Sequence, residues 1–221
     1  MSRALSATDR AYQETRAKIL DGAYAGGDVI TEGQVASTMG ISRTPVREAF
    51  LRLQAEGMLQ LYPKRGAVVV PVALEEAMPV MEAREVVEAF AITKVLTENA
   101  EAPAELIATL WDLIAEMTRH LRSHDVSAYM EADTAFHMAI VSAGGNPFFE
   151  QFNLHLREKQ RRLNGAVMNR RFERMERSYA EHVAIVEQLE VGNLDQALSQ
   201  LRSHLRAGRL ALRGELRSRV S

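Results

Sequence analysis

Asp133 and His137 stand four residues apart, and two more histidines, His182 and His204, follow along the chain. On a helix, residues four apart point the same way. All three histidines fall beside apolar residues in helical register: His137 by Phe136 and Ile140, His182 by Ile185 and Val186, His204 by Leu201 and Leu205. One carboxylate and three imidazoles suit a borderline divalent cation such as zinc, nickel or manganese. Residue types alone leave a plainer reading open, in which each histidine is satisfied within a core or at a surface. Arg84 is inward in register with Met81 and Val87. A buried guanidinium needs a partner: Glu85, Glu88, or an anion from outside. Asn153, between Phe149, Phe152 and Leu156, has a hydrogen bond to offer in the same interior.

A second group of residues suits a polyanion. In Ser42-Arg43-Thr44-Pro45-Val46-Arg47-Glu48-Ala49, Arg43 and Arg47 are four apart and share a helix face with Thr44 nearby. Arginine donates paired hydrogen bonds to phosphate or to guanine O6 and N7, and a helix N-terminus itself favours phosphate. Lys64, Arg65 and Gly66 form a basic turn that can reach a nucleic-acid backbone or minor groove. Other polar clusters read as structural. His120 and His124, with Asp125, sit at a helix end beside Arg119 and Arg122, where positive groups complement the helix dipole. His155 has no assigned role. The eight Lys and Arg residues between Arg157 and Arg177 read as a solvated helix face paired with nearby glutamates.

The elements that carry these residues follow from periodicity and breakers. A helix over 10–22 ends at Gly22, and Gly26-Gly27-Asp28 is a turn. Thr31 and Gln34 form a capping box that starts a short helix, with Gly40 as a left-handed cap. Ser42 can N-cap the next helix, which runs to Gly57 and tolerates Pro45 in its first turn. Leu59–Tyr62 and Ala67–Val70 read as a hairpin around Pro63-Lys64-Arg65-Gly66. A helix-turn-helix followed by a hairpin is a winged helix. Beyond residue 74 helical periodicity dominates: 80–100, 104–123, 125–143, 147–168, 173–190 and 194–215, with breaks at Pro103, Gly144–Pro147, Asn169–Arg171 and Gly192-Asn193. The fold class is mostly α. A winged helix over 1–72 precedes an all-α domain over 73–221, with six helices, or seven if 74–78 counts separately.

Bulk properties narrow the function. The chain has 221 residues, 47% hydrophobic and 25% charged, ordinary for a globular protein. Its net charge is -2, but residues 1–70 carry nine basic against seven acidic side chains. The N-terminal part is the better candidate to meet an anionic partner. There is no cysteine, which excludes disulfides and thiolate metal sites. No apolar run approaches the ~20 residues of a membrane span, and residues 1–10 lack a signal-peptide core. A cytoplasmic protein with no membrane partner is expected.

Ile19, Gly22, Tyr24 and Gly27, the Ser42–Ala49 string, Leu53, Glu56-Gly57 and Gly66 together strongly resemble the DNA-binding domain of the GntR family, over about residues 10–71. Members often carry arginine at the position of Gly33, and this chain lacks that DNA contact. Over roughly 74–215, Arg84 with Glu88, Asp133-x-x-x-His137, Gly145-Asn146-Pro147, Glu181-His182 and His204 resemble the FCD ligand-binding domain of the FadR subfamily, closer to its six-helix VanR-like group. The resemblance implies a divalent metal, zinc first, on Asp133, His137, His182 and His204. It also implies that Arg84, with Asn153, grips a carboxylate effector. A homodimer on two-fold operator DNA is expected. The expected function is a ligand-responsive transcriptional regulator acting as a repressor, and not an enzyme. A metalloenzyme would need a general base, for which only Glu181 is near, and would leave the winged helix unexplained. An architectural DNA binder with a purely structural metal is the third reading.

Overall fold

The structure is a computed structural model and describes residues 5–98, 102–167 and 171–220, with side chains at 165–167, 171 and 215–220 left aside. Residues 168–170, where a helix break near Asn169–Arg171 is expected, lie outside the described residues. The chain divides into two compact units. One runs up to Ala73 and takes in Arg161–Ala166; the other holds Leu74–Gln160 and the chain from Val167 on.

In the first unit α1 (Ala7–Leu20) begins three residues earlier than expected, because the Ser6 side chain accepts a hydrogen bond from the Asp9 N–H. The capping box of α2 (Glu32–Met39) is present in full, with Thr31 and Gln34 each bonded to the other's backbone, and Gly40 closes the helix at φ 65°. α3 (Arg43–Ala55) follows after two residues. Ser42 has the extended backbone of an N-cap, but its side chain makes no capping bond. The hairpin is β2 (Leu59–Tyr62) and β3 (Gly66–Val69). A two-residue strand, β1 (Val29–Ile30), pairs with β3 and gives the sheet order β1-β3-β2. Two residues carry no periodicity, so the sequence hid β1. Gly66 owes its place to that strand: at φ 96°, a Cβ there would stand 2.6 Å from the Ile30 carbonyl oxygen. Ala11, Ile19, Val46, Phe50, Leu53 and Leu59 fill the core.

The second unit begins with a 3-10 turn at Leu74–Glu76. Its helices are α4 (Ala77–Glu98), α5 (Ala104–Ser123), α6 (Val126–Ala143), α7 (Pro147–Val167), α8 (Arg171–Glu190) and α9 (Leu194–Val220). Among the described residues, six helices and a short turn therefore stand where six or seven helices were expected. α5 buries a clean apolar stripe of Leu106, Ile107, Leu110, Ile114 and Met117. The other stripes are interrupted. α4 buries Arg84 and Glu88 between Met81 and Ala91; α6 buries Asp133 and His137 between Tyr129 and Val141. His182 on α8 and His204 on α9 are likewise buried among Ile185, Val186, Leu201 and Leu205. Close packing of α4 with α6 and α9, and of α8 with α6 and α9, brings these polar positions into one layer.

Candidate metal centre and nucleic-acid interface

The layer converges on a point. One donor atom each from Asp133, His137, His182 and His204 lies within 4.8 Å of all the others. Nε2 of His137 and Nε2 of His182 are 3.1 Å apart, and Asp133 Oδ1 is 3.3 Å from the latter and 4.0 Å from the former. Two ring nitrogens this close, one carrying a lone pair, need a proton or a cation between them.

Carboxylates fix the rings from behind. His137 Nδ1 bonds Glu88 Oε2 at 2.7 Å, and His204 Nδ1 bonds Glu181 Oε2 at 2.8 Å. With Nδ1–H engaged on a carboxylate, each ring turns a basic Nε2 away from it, the usual support of a metal-bound histidine. Glu88 Oε1 takes Arg84 Nε at 2.8 Å, and Arg174 pairs with both oxygens of Glu181. Arg157 donates to Asp133 Oδ2, which leaves Oδ1 toward the imidazoles. Arg157 and Arg84 both also donate to Gln160 Oε1.

Electrostatics suit a cation. Burial first, then the guanidiniums of Arg157 and Arg84, holds His137 well below the usual imidazole range. Burial first, then His204, does the same for His182. Both rings are neutral and keep a lone pair for a ligand bond. For Asp133 burial pulls upward, but Arg157 and the three histidines outweigh it and hold the carboxyl well below the carboxylate range. Burial lowers Arg84 to about 10, with Arg157 adding to the effect, so it stays charged at neutral pH. An anionic oxygen and three converging imidazoles fit a divalent ion of the zinc, nickel or manganese type.

The structure brings together the four residues singled out in the sequence, with Arg84 nearby, and adds braces that the sequence did not reveal. Arg157 reads as solvated in a basic run and is in fact 2% exposed. Its signal was the shared face with Asn153 and Gln160 on α7. Of the same run, Arg174 does pair with a glutamate, Arg170 lies outside the described residues, and so does the side chain of Arg171. Asn153 is fully buried; its amide nitrogen meets Met138 Sδ at 3.4 Å and its oxygen accepts nothing from the protein. Glu181, the possible general base, is spent on His204 and Arg174. His124 turns out to cap α5 at φ 57° and stacks on Phe172, with ring centroids 4.5 Å apart. His155 is exposed.

In the winged helix, Arg43, Thr44 and Arg47 lie on the first turns of α3 and are exposed, as are Lys64 and Arg65 at the hairpin tip, where Lys64 takes φ 63°. Val46, Ala49, Phe50 and Leu53 bury the opposite face of α3. The guanidinium of Arg43 lies over Gly33, where a Cβ would stand 3.4 Å from Nη2.

Comparison with known proteins agrees with both halves. Residues 7–69 match the family of bacterial regulatory proteins named gntR, and residues 79–207 match the FCD domain. An uncharacterized HTH-type transcriptional regulator of Agrobacterium vitis is 30% identical over 132 residues, 60% of this chain and 77% of the relative. The gluconate operon transcriptional repressor of Bacillus licheniformis is 28% identical over 128 residues, 58% of this chain and 51% of the relative. A crystal structure of a GntR transcriptional regulator from Rhodococcus sp. RHA1 shares the fold at 21% identity, with a TM-score of 0.76 over 94% of this chain and 97% of that one. No described helix is long and apolar enough to cross a membrane. The chain is a DNA-binding transcriptional regulator, not an enzyme, and belongs to the GntR family, with an FCD domain following its winged helix.

Proposed function

We propose that this regulator is a cytoplasmic repressor whose FCD domain holds one divalent ion, zinc first, on Asp133, His137, His182 and His204, and uses it to sense a small carboxylate. The observation that carries this reading is the convergence of four donors, three of which, His137, His204 and Asp133, are braced on their far sides by Glu88, Glu181 and Arg157. One shared proton would satisfy the His137–His182 pair alone, but the arrival of Asp133 and His204 at the same point favours a cation. Three imidazoles and one carboxylate oxygen leave room in the ion's coordination for ligand oxygens. A bound ion supplies the largest local charge, which attracts a carboxylate. Arg84 and Asn153 complete the anion site from α4 and α7. The Bacillus licheniformis relative, a repressor of a gluconate operon, supports the sign of the regulation.

DNA is read by Arg43, Thr44 and Arg47 in the major groove, with Lys64, Arg65 and the Gly66 turn on the backbone or minor groove. The chain acts as a homodimer. Support comes from an apolar patch on α4 and α7: Val86 is 68% exposed, Phe148 80%, and the exposed Phe90 meets Phe149 edge to face at 4.9 Å. Such patches mark interfaces. The test is anisotropy of labelled operator fragments on the metal-loaded protein. A small organic acid that binds the FCD domain releases the DNA; an acid that binds with no change in DNA affinity overturns the reading. The release can be no larger than the acid's differential affinity for the two states.

A further inference from the structure

The exposed face of α3 carries one side chain that the reading of Arg43, Thr44 and Arg47 leaves unused. Leu51 is 52% exposed and is the one exposed large hydrophobic among the described residues of α3. Isolated surface leucines are common, so exposure alone decides nothing. Register decides more. Leu51 follows Arg47 by four residues and Thr44 by seven, one and two helical turns, so the three share a face. That face lies opposite Val46, Ala49, Phe50 and Leu53, which enter the core.

The flanks of the face are taken up by the fold. On one side the Thr8 hydroxyl donates to Glu48 Oε2 at 2.9 Å, and Arg52 pairs with Asp9 at 2.9 Å with its guanidinium 4.0 Å over the Tyr12 ring. Glu48 and Arg52 are thus held by α1. On the other side Gln54 Oε1 accepts a hydrogen bond from the Leu61 N–H of β2 at 3.3 Å. Thr44 and Leu51 run along the middle of the strip that remains, with Arg47 beside them.

A leucine in that strip has a matching partner in the major groove. Thymine alone among the four bases presents a methyl group there, and apolar side chains meet it. Leu51 has neither donor nor acceptor, so a phosphate or a polar base edge gives it no bond. It stands about 6 Å beyond Arg47 along the helix axis, against a base-pair rise of about 3.4 Å. With α3 lying in the groove, Leu51 faces a base one or two pairs from any base that Arg47 reads.

We propose that Leu51 is a specificity residue of α3 that reads a thymine by its 5-methyl group, one or two base pairs from the base met by Arg47. The inference rests on the reading of α3 as the major-groove element. Contact between the methyl and Leu51 removes apolar surface from water on both partners. Cytosine presents an amino group at that edge instead and gains nothing from a leucine.

The test starts from the duplex that the full chain enriches from a randomised library. Each thymine is then replaced singly by deoxyuridine, which removes the methyl group alone. Wild type is expected to bind at least one of these duplexes about fourfold more weakly, the worth of one buried methyl. Leu51→Ala should bind that duplex and its thymine parent equally. Arg47→Ala should bind both more weakly and keep the difference between them. Circular dichroism checks that each variant is folded. A selected sequence with no fixed thymine overturns the proposal, as does wild type that is insensitive to every replacement, or a loss that Leu51→Ala shows undiminished. Enrichment of no sequence, or unchanged binding by Arg43→Ala/Arg47→Ala, overturns the placement of α3 itself and Leu51 with it.

Discussion

Arg43 and Arg47 on α3 stand in solvent, away from a fully apolar packing face, whereas Arg84 and Arg157 in the helical domain are sealed among other side chains and paired with Glu88 and Asp133. The same residue type does opposite work. On the winged helix the charge awaits a partner that brings its own counter-charge, and the fold is indifferent to it. In the helical domain each guanidinium already has a carboxylate, and that carboxylate also braces or supplies a donor of the candidate metal site. Removing an exposed arginine should therefore change binding and spare stability, while disturbing a buried pair should change both.

The comparison breaks most visibly at Asp133. Asp133→Ala strands Arg157 as a buried charge, a loss of about 3–5 kcal/mol in folding stability. Urea unfolding of metal-free protein measures it. Arg47→Ala should stay within about 0.5 kcal/mol of wild type in the same assay. Similar losses for the two variants would remove the contrast.

Acid probes the same contrast without mutation. His137 and His182 are held neutral in the folded, metal-free chain, whereas unfolded histidine takes a proton near pH 6.5. Below that pH the unfolded state binds more protons, so their contribution is complete at neutral pH and is lost on acidification. The loss approaches about 1.4 kcal/mol per pH unit for each ring. Asp133, with its carboxyl depressed, contributes above its ordinary value of 3.8 and adds no slope between pH 7 and 5. Unfolding midpoints of chelator-treated protein at pH 7, 6 and 5 should fall steadily, and a flat profile contradicts the neutral pair.

On the winged helix, Arg43→Ala or Arg47→Ala should cost about 1–3 kcal/mol of operator affinity wherever that arginine reads a base. Metal content should stay unchanged. Lys64→Ala is the smallest effect: a uniform weakening, with the salt dependence of binding reduced by about one phosphate contact. A sequence-dependent loss at Lys64, or none at Arg43 and Arg47 together, would misplace the interface.

Much of this was legible in the sequence, for physical reasons. The capping box at Thr31 and Gln34, the left-handed Gly40 and the hairpin around Lys64 are local signals, and local signals set the helix-turn-helix and wing. The histidines and Asp133 showed themselves by interrupting apolar stripes. β1 stayed hidden because two residues have no period, and its only trace was the need for glycine at position 66. The bracing of the donors stayed hidden because it is long-range: Glu88 to His137, Arg157 to Asp133 and Glu181 to His204 join different helices. Arg157 was misread because a basic run looks solvated until the packing of α7 is known.

The central claim is that Asp133, His137, His182 and His204 hold one divalent ion. Elemental analysis of wild type purified without chelator, beside His182→Ala/His204→Ala, tests it most directly. Wild type should carry about one zinc, nickel or manganese ion per chain, and the double variant should carry none while keeping its helical circular dichroism. Wild-type protein that holds no metal and cannot be loaded would reduce the cluster to a polar core.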